Sequence, residues 1–375
     1  MKAVELFAGI GGFRIACDEL GIETIWANDI DSKASKVYRN QFGADVHKEG
    51  DIAKFIDDIP PHDILTGGFP CQPFSSAGKK LGIEDERGTL FEKIVNILTK
   101  KRPKYFVLEN VKRLLSMDKG AHFATILEAL SRLDYLVEWR LLNAIHFGLP
   151  QNRERIVIIG HLKLTPRSYL CTNDDLAELS DRELSNIVHF DRWKEIENHS
   201  SQFSNWGMAL PNGKFCQAKI ELFSEKKTTV KLKSFLENSP DESFFFTKET
   251  LERIKKSEKV NRFINGVEIL YNQKGGARMG YSIFGTSGVA PTLTSTTSRH
   301  YERYQLGNEF RRLTNIEYAR IQGFPDNHCK IVTAYDQYPL FGNAVPPPMV
   351  KWVIDRTING KYVNLDCATT QLELL

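Results

Sequence analysis

The sequence is short of the features that announce several protein classes. Its six cysteines stand apart at positions 17, 71, 171, 216, 329 and 367, with no Cys-x-x-Cys pair, so neither a disulfide scaffold nor a metal centre is expected and a reducing compartment is. No apolar run is long enough to cross a bilayer and the start shows no signal-peptide pattern, so the expected location is the cytoplasm, with no membrane partner. Charge is nearly balanced, at +3 overall, too little to announce a nucleic-acid partner by itself. The balance is uneven along the chain. Residues 210–312 carry 18 Lys/Arg against 11 Asp/Glu, a local +7 that leaves −4 for the rest. Such a face suits phosphate, although lysine is also an ordinary surface residue. With 375 residues and 41% hydrophobic content, two domains and a substantial core are expected.

The start of the chain reads as a strand over residues 2–7, a glycine turn at Ala8-Gly9-Ile10-Gly11-Gly12, and an amphipathic helix to Leu20. That order makes a nucleotide site. Arg14 stands where the third glycine of Gly-x-Gly-x-x-Gly would fall, which weakens a nicotinamide-dinucleotide reading. A second strand, residues 24–28, leads to Asp29, about twenty residues past the first glycine and placed for a ribose hydroxyl. An adenosine cofactor is implied; a tight strand-to-helix connection is the plain alternative.

Residues 63–66 read as a buried parallel strand running into Gly67-Gly68-Phe69-Pro70-Cys71-Gln72-Pro73-Phe74. Ligands of open α/β sheets bind beyond the carboxyl ends of the strands, and Cys71 lies just past one. A lone cysteine is more often a small buried side chain than a nucleophile. Here the paired glycines, the stiff Pro70 and the loop Ser75-Ser76-Ala77-Gly78-Lys79-Lys80 favour exposure, and Lys79, Lys80 and Arg87 favour thiolate over thiol. The apolar run 105–108 ends at Glu109, at the same rim, and Arg153 and Arg155 precede the run 156–160. Helical spacing at residues 90–101 and 121–133 alternates with these strands, which predicts an α/β fold with a mostly parallel, Rossmann-like sheet. After Thr165-Pro166 the pattern breaks into polar and acidic stretches, where a second, smaller domain is expected to begin.

In order along the chain, six segments resemble the motifs of the cytosine-5 DNA methyltransferase family, of the bacterial restriction-modification type. Phe7-Ala8-Gly9-Ile10-Gly11-Gly12 is similar to its cofactor loop, Gly68-Phe69-Pro70-Cys71-Gln72 to its nucleophile motif and Glu109-Asn110-Val111 to its glutamate motif. Gln151-Asn152-Arg153-Glu154-Arg155 resembles the Gln-x-Arg-x-Arg element, residues 311–325 the penultimate motif, and Phe341-Gly342-Asn343-Ala344-Val345 the last one.

The resemblance implies an S-adenosylmethionine-dependent methyltransferase fold, with residues 1–165 and 311–375 forming the catalytic domain and 166–310 a target-recognition domain. It implies that Cys71 adds to C6 of a cytosine flipped out of duplex DNA, that Glu109 holds N3 and the exocyclic amine, and that Arg153 and Arg155 lie beside them. The cofactor residues carried over are Phe7, Ala8, Gly9, Gly11, Gly12, Asp29, Ile30, Asp51, Ile52, Pro70, Leu90, Asn343 and Val345. Two depart from the family pattern, since Asp29 stands for a usual glutamate and Ile30 for a frequent aromatic, which keeps apolar cover but loses ring stacking. Contacts to DNA are expected from Gln72, Ser75, Lys79, Lys80 and Arg87, in a loop closing over the base, and from Lys274, Arg278, Thr292, Leu293, Arg299 and Arg303. A monomer with a cognate restriction endonuclease as functional partner is the expectation. The alternatives are a transfer-RNA cytosine-5 methyltransferase and a DNA-binding regulator without catalysis.

Overall fold

The computed structural model describes residues 1–70, 90–162, 166–221, 223–227, 229–272, 282–295, 303–360 and 362–365. Apolar strands and amphipathic helices alternate through its first part as the periodicity predicts. The run is β1 (Lys2–Leu6), α1 (Gly12–Glu19), β2 (Glu23–Asp29), α2 (Ser32–Phe42), β3 (His47–Glu49), β4 (Ile64–Gly68), α3 (Leu90–Lys101), β5 (Tyr105–Val111), α4 (Ala121–Ser131), β6 (Tyr135–Asn143) and β7 (Glu154–Leu162). Local chemistry sets the boundaries: the Asp31 carboxylate accepts the N–H groups of Lys33 and Ala34 to start α2, and Gly43 follows its end. Helices α3 and α4 turn Phe91, Ile94, Leu98, Phe123, Ile126 and Leu130 onto Val4, Leu6, Leu65, Phe106 and Leu108 of the sheet.

Strand order fixes where a ligand can sit. The sheet runs β3-β2-β1-β4-β5-β7-β6, parallel from β3 through β5, with β7 antiparallel to both its neighbours. The chain winds outward from β1 to β3 and then resumes on the other side of β1 with β4. This reversal opens a crevice at the carboxyl ends of β1 and β4, where open α/β sheets bind ligands.

The segment after Pro166 does not leave this sheet at once. It contains β8 (Arg167–Ser168), α5 (Asn173–Ala177), α6 (Asp181–Val188), β9 (Lys194–Glu195), β10 (Trp206–Ala209) and β11 (Lys214–Ala218), and the last three extend the sheet beyond β6 in the order β10-β11-β9. Strands this short, set among polar turns, carry too little period to be recognised. They are held by Glu138 of β6, a buried carboxylate that accepts the Ser168 hydroxyl, the Tyr169 N–H and the Trp206 indole N–H at 2.7–2.8 Å.

A second sheet of five strands follows α7 (Lys248–Lys255): β12 (Glu258–Ile264), β13 (Val267–Asn272), β14 (Ser282–Phe284), β15 (Arg303–Leu306) and β16 (Glu309–Arg311), paired in chain order. The chain then forms α8 (Asn315–Gln322), α9 (Ala334–Asn343), α10 (Pro347–Ile358) and β17 (Val363–Asn364), which pairs with β8. Met349, Val350, Val353 and Ile354 of α10 pack on Phe13, Ala16 and Cys17 of α1, so the last helices lie against the first sheet.

One residue of β1 breaks the apolar pattern. Glu5 is 1% exposed and accepts the Tyr38 hydroxyl at 2.9 Å, and burial pushes its carboxyl from an ordinary 4.5 up to about 8. Between those values the folded chain holds a proton that the unfolded chain has lost, so this group's contribution to stability is full below about pH 4.5 and is lost as pH rises through about 8. Glu5→Gln is uncharged throughout and removes that slope. The urea midpoint of the parent minus that of the variant should fall between about pH 5 and about pH 8, and a constant difference would contradict the assignment.

Candidate active site

The glycine turn after β1 is built by steric necessity. Phe7, a non-glycine residue, sits at φ 52° and Gly9 at 54°, the left-handed region that costs most residues energy and that clusters at functional sites. A Cβ on Gly12 would overlap the Val345 carbonyl, whereas one on Gly9 would meet nothing within 4 Å. Gly12 is thus a packing glycine, and Gly9 borders open space. Ala8, between Phe7 and Gly9, is buried and donates its N–H to the Asn28 carbonyl at 2.9 Å.

Asp29 stands at the end of β2, but its carboxylate already has protein partners. Oδ2 accepts the Gly9 N–H at 2.6 Å and Oδ1 the Asp31 N–H at 2.8 Å, so Asp29 closes the glycine turn. Burial pushes its pKa up, against the lowering effect of those amides. Ile30, next in the chain, is 71% exposed at this rim, an unusual position for an isoleucine. Asn28 donates to the carbonyls of Lys48 and Gly50 at 2.8 and 2.9 Å, which brings Asp51 alongside with its side chain exposed. Ile52 is buried and packs in the core behind it. Pro70 is exposed, and Leu90 is half-buried at the start of α3.

Across the switch point lies an ion pair. Glu109 on β5 and Arg155 on β7 are diagonal neighbours, since Val111 pairs with Arg155 and Glu109 with Val157. Arg155 Nε is 2.9 Å from Glu109 Oε1 and each side chain is 12% exposed. Burial raises the Glu109 pKa, while the positive charges of Arg155 and Arg153 pull it down; the balance lies above the ordinary value. Gly68 is in register with Glu109, and a Cβ there would lie 3.3 Å from Glu109 Oε2. Such a carboxyl, nearly dry and oriented by one guanidinium, is equipped to share a proton with a ring nitrogen. Asn110 beside it is buried and donates to the Phe69 carbonyl at 2.9 Å, which ties β5 to the approach to Cys71.

Several expected assignments change. Arg153 is 1% exposed and donates to the carbonyls of Leu293, Gly342 and Ala344 at 2.9 Å each, so it holds backbone rather than a base or a phosphate. Leu293 is fully buried with its N–H on Gln151 Oε1, and the Thr292 hydroxyl donates to the Asn152 carbonyl, so these two hold their segment on Gln-x-Arg-x-Arg. Arg303 is buried on β15. Asn343 is exposed and Val345 is half-buried over the glycine turn. Cys71, Gln72, Ser75, Lys79, Lys80, Arg87, Lys274, Arg278 and Arg299 lie outside the described residues. Gln322, which the sequence reading did not single out, is fully buried and bonded to Gln151 at 2.6 Å. A buried polar residue on a helix face leaves no periodic signal.

The fold is that of Rossmann-like methyltransferases. Solved structures that share it include the Dnmt2 methyltransferase of S. pombe, with a TM-score of 0.62 at 17% identity over 96% of this chain and 99% of that one. A putative DNA modification methyltransferase from an E. coli prophage gives 0.56 at 19% identity, over 96% and 99%. The chain belongs to the C-5 cytosine-specific DNA methylase family, whose model matches residues 1–359. It is 36% identical over 370 residues to type II methyltransferase M1.ScrFI of Lactococcus lactis subsp. cremoris, covering 95% of this chain and 78% of that protein. With type II methyltransferase M.HaeII of Haemophilus aegyptius it shares 33% over 374 residues, covering 99% and 96%.

The overlap at Gly12 gives a direct check on this packing. Gly12→Ala drives a methyl group into the Val345 carbonyl and should cost about 1–3 kcal/mol in urea unfolding. An unchanged midpoint would mean that the last motif does not press on the glycine turn.

Proposed function

We propose that this enzyme transfers a methyl group from S-adenosylmethionine to C5 of a cytosine flipped out of a specific duplex DNA sequence, through a covalent adduct between Cys71 and C6. The observation that carries the reading is the Glu109–Arg155 pair at the carboxyl end of β5, beside Gly68, with Asn110 next to it bonded to the Phe69 carbonyl. C5 of cytosine is a poor nucleophile until electrons enter the ring. The Cys71 thiolate attacks C6 and supplies that pair, while Glu109 gives a proton or hydrogen bond to N3, where the charge would otherwise accumulate. Arg155 keeps the carboxyl aimed and limits how far burial raises its pKa. C5, made electron-rich, takes the methyl group and becomes tetrahedral; loss of its proton to solvent or hydroxide then expels the Cys71 thiolate and restores the ring.

The cofactor fits the residues at the switch point. Open space over Gly9, the exposed isoleucine at 30, and the Asp51 and Asn343 side chains at the rim suit an adenosine and an amino acid. When bound, S-adenosylmethionine supplies an electrophilic methyl on a sulfonium. Asp29 holds the turn with one amide on each oxygen and keeps lone pairs for a ribose hydroxyl. Ile30 covers the adenine face by apolar contact, and Asp51 meets its edge.

Residues 1–165 and 311–375 form the catalytic unit in this reading, and recognition belongs to 166–310, chiefly the sheet β12 to β16 and its loops. Lys274, Arg278 and Arg299 remain the candidates for base and phosphate contacts, with residues 72–88 closing over the flipped base. The protein works as a monomer in the bacterial cytoplasm, paired in function with a restriction endonuclease of the same specificity.

Initial rates on duplex DNA and on transfer RNA test the substrate, and a preference for transfer RNA would overturn the reading. Arg155→Ala should lower kcat by about two orders of magnitude on DNA. It should also move the alkaline limb of the pH–rate profile upward, because the positive charge that lowers the Glu109 pKa is gone. An unmoved limb would remove Glu109 from the protonation step.

A further inference from the structure

Residues 342–345, where α9 ends and the chain turns into α10, close two sites at once. On one side the Val345 carbonyl presses on Gly12 of the glycine turn. On the other, Val345 Cγ2 lies 4.0 Å from the Cβ position of Gly68, which stands opposite Glu109. Two buried side chains from elsewhere in the chain hold this turn. Arg153 Nη2 donates to the carbonyls of Gly342 and Ala344, and its Nη1 to that of Leu293. Gln322 Nε2 donates to the Phe341 carbonyl and, at 3.3 Å, to that of Ala344, while Gln322 Oε1 accepts from Gln151.

The chemistry of this arrangement is unusual. Among the described residues Arg153 donates its side-chain hydrogen bonds to backbone carbonyls, and burial pushes its pKa down to about 9. A guanidinium taken out of water is costly, and apolar residues of similar volume often stabilise a core as well or better. What a planar fork offers in exchange is direction, because carbonyls from two chain segments must converge on it. Arg153 also lies two residues before Arg155, so one short segment carries both the fork on the turn and the partner of Glu109.

We infer that Arg153 and Gln322 form a clasp on the 342–345 turn, through which Arg153 acts as a positioning residue that couples cofactor binding to the setting of Glu109. The inference rests on the reading that the cofactor lies at the glycine turn. It assigns Arg153 no contact with substrate. Losing the clasp leaves carbonyls unpaired in a dry site and frees the wall shared by both halves of the cleft.

The test compares Arg153→Met, Arg153→Lys and Gln322→Met with the parent chain, using calorimetric binding of S-adenosylhomocysteine and binding of duplex DNA without cofactor. Arg153→Met should weaken S-adenosylhomocysteine about tenfold or more and leave DNA affinity within about twofold. Arg153→Lys should fall short of full rescue, since an ammonium cannot span the carbonyls of both segments. Gln322→Met should act in the same direction, with a less than additive loss in the double variant. Parent-like S-adenosylhomocysteine binding by a folded Arg153→Met, or a loss confined to DNA, overturns the inference. If Arg153→Met fails to fold, parent-like binding by Gln322→Met overturns it, and so does failure of both to fold, which would make the clasp purely structural. A parent chain that binds no S-adenosylhomocysteine overturns the cofactor reading and the coupling with it.

Discussion

A carboxyl held nearly dry against one guanidinium is the constraint around which this molecule is arranged. Glu109 and Arg155 come from antiparallel neighbours and meet at 2.9 Å with little solvent around them. Desolvation favours the protonated acid, the neighbouring positive charges favour the carboxylate, and the outcome is a group balanced between the two. Burying that pair has a consequence for the rest of the fold. Polar groups in a dry site must be paired or they destabilise it, so the surroundings carry further buried hydrogen bonds: Asn110 to Phe69, Gln151 to Gln322, Arg153 to three carbonyls.

The sheet makes this arrangement possible. Because winding reverses between β1 and β4, the glycine turn, the Gly67-Gly68 strand end and Glu109 emerge side by side, although Gly9 and Glu109 are 100 positions apart in the chain. The closing wall comes from the far end of the chain, where α10 packs on α1 and puts Val345 against Gly12. The second sheet then docks through backbone: Ala290 donates to the Pro150 carbonyl and Asn152 to the Ala290 carbonyl, beside the Thr292 and Leu293 contacts. The Gln-x-Arg-x-Arg segment is therefore a junction between the two sheets as well as the source of Arg155.

Much of this was legible in the sequence, for reasons that differ by residue. Strands β1, β2, β4 and β5 announce themselves as apolar runs, and their carboxyl ends bring Gly9, Asp29, Gly68 and Glu109 to one rim once a parallel sheet is assumed. Arg153 and Arg155 could not be told apart, because spacing says nothing about which guanidinium meets a carboxylate and which meets backbone carbonyls. Thr292, Leu293 and Arg303 sit in a basic, loop-rich stretch that looks suited to DNA, yet Thr292 and Leu293 bond to residues 151 and 152 and Arg303 is buried on β15, which no local pattern encodes. Strands β9 to β11 escaped notice because two to five residues are too few to establish a period. Asp29 closes β2, and its partners are the amides of Asp31 and of Gly9 in the glycine turn, the latter brought close by the packing of two strand ends that no local pattern encodes.

The central claim is that the Cys71 sulfur bonds to the pyrimidine, and the most direct measurement is to trap that bond. The chain is incubated with S-adenosylmethionine and a duplex carrying 5-fluorocytosine at its methylation site, where fluorine blocks the release step. The account predicts a denaturant-resistant protein–DNA complex whose modified peptide contains Cys71. A folded enzyme that methylates ordinary DNA but gives no such complex, or gives one through a different residue, would contradict it.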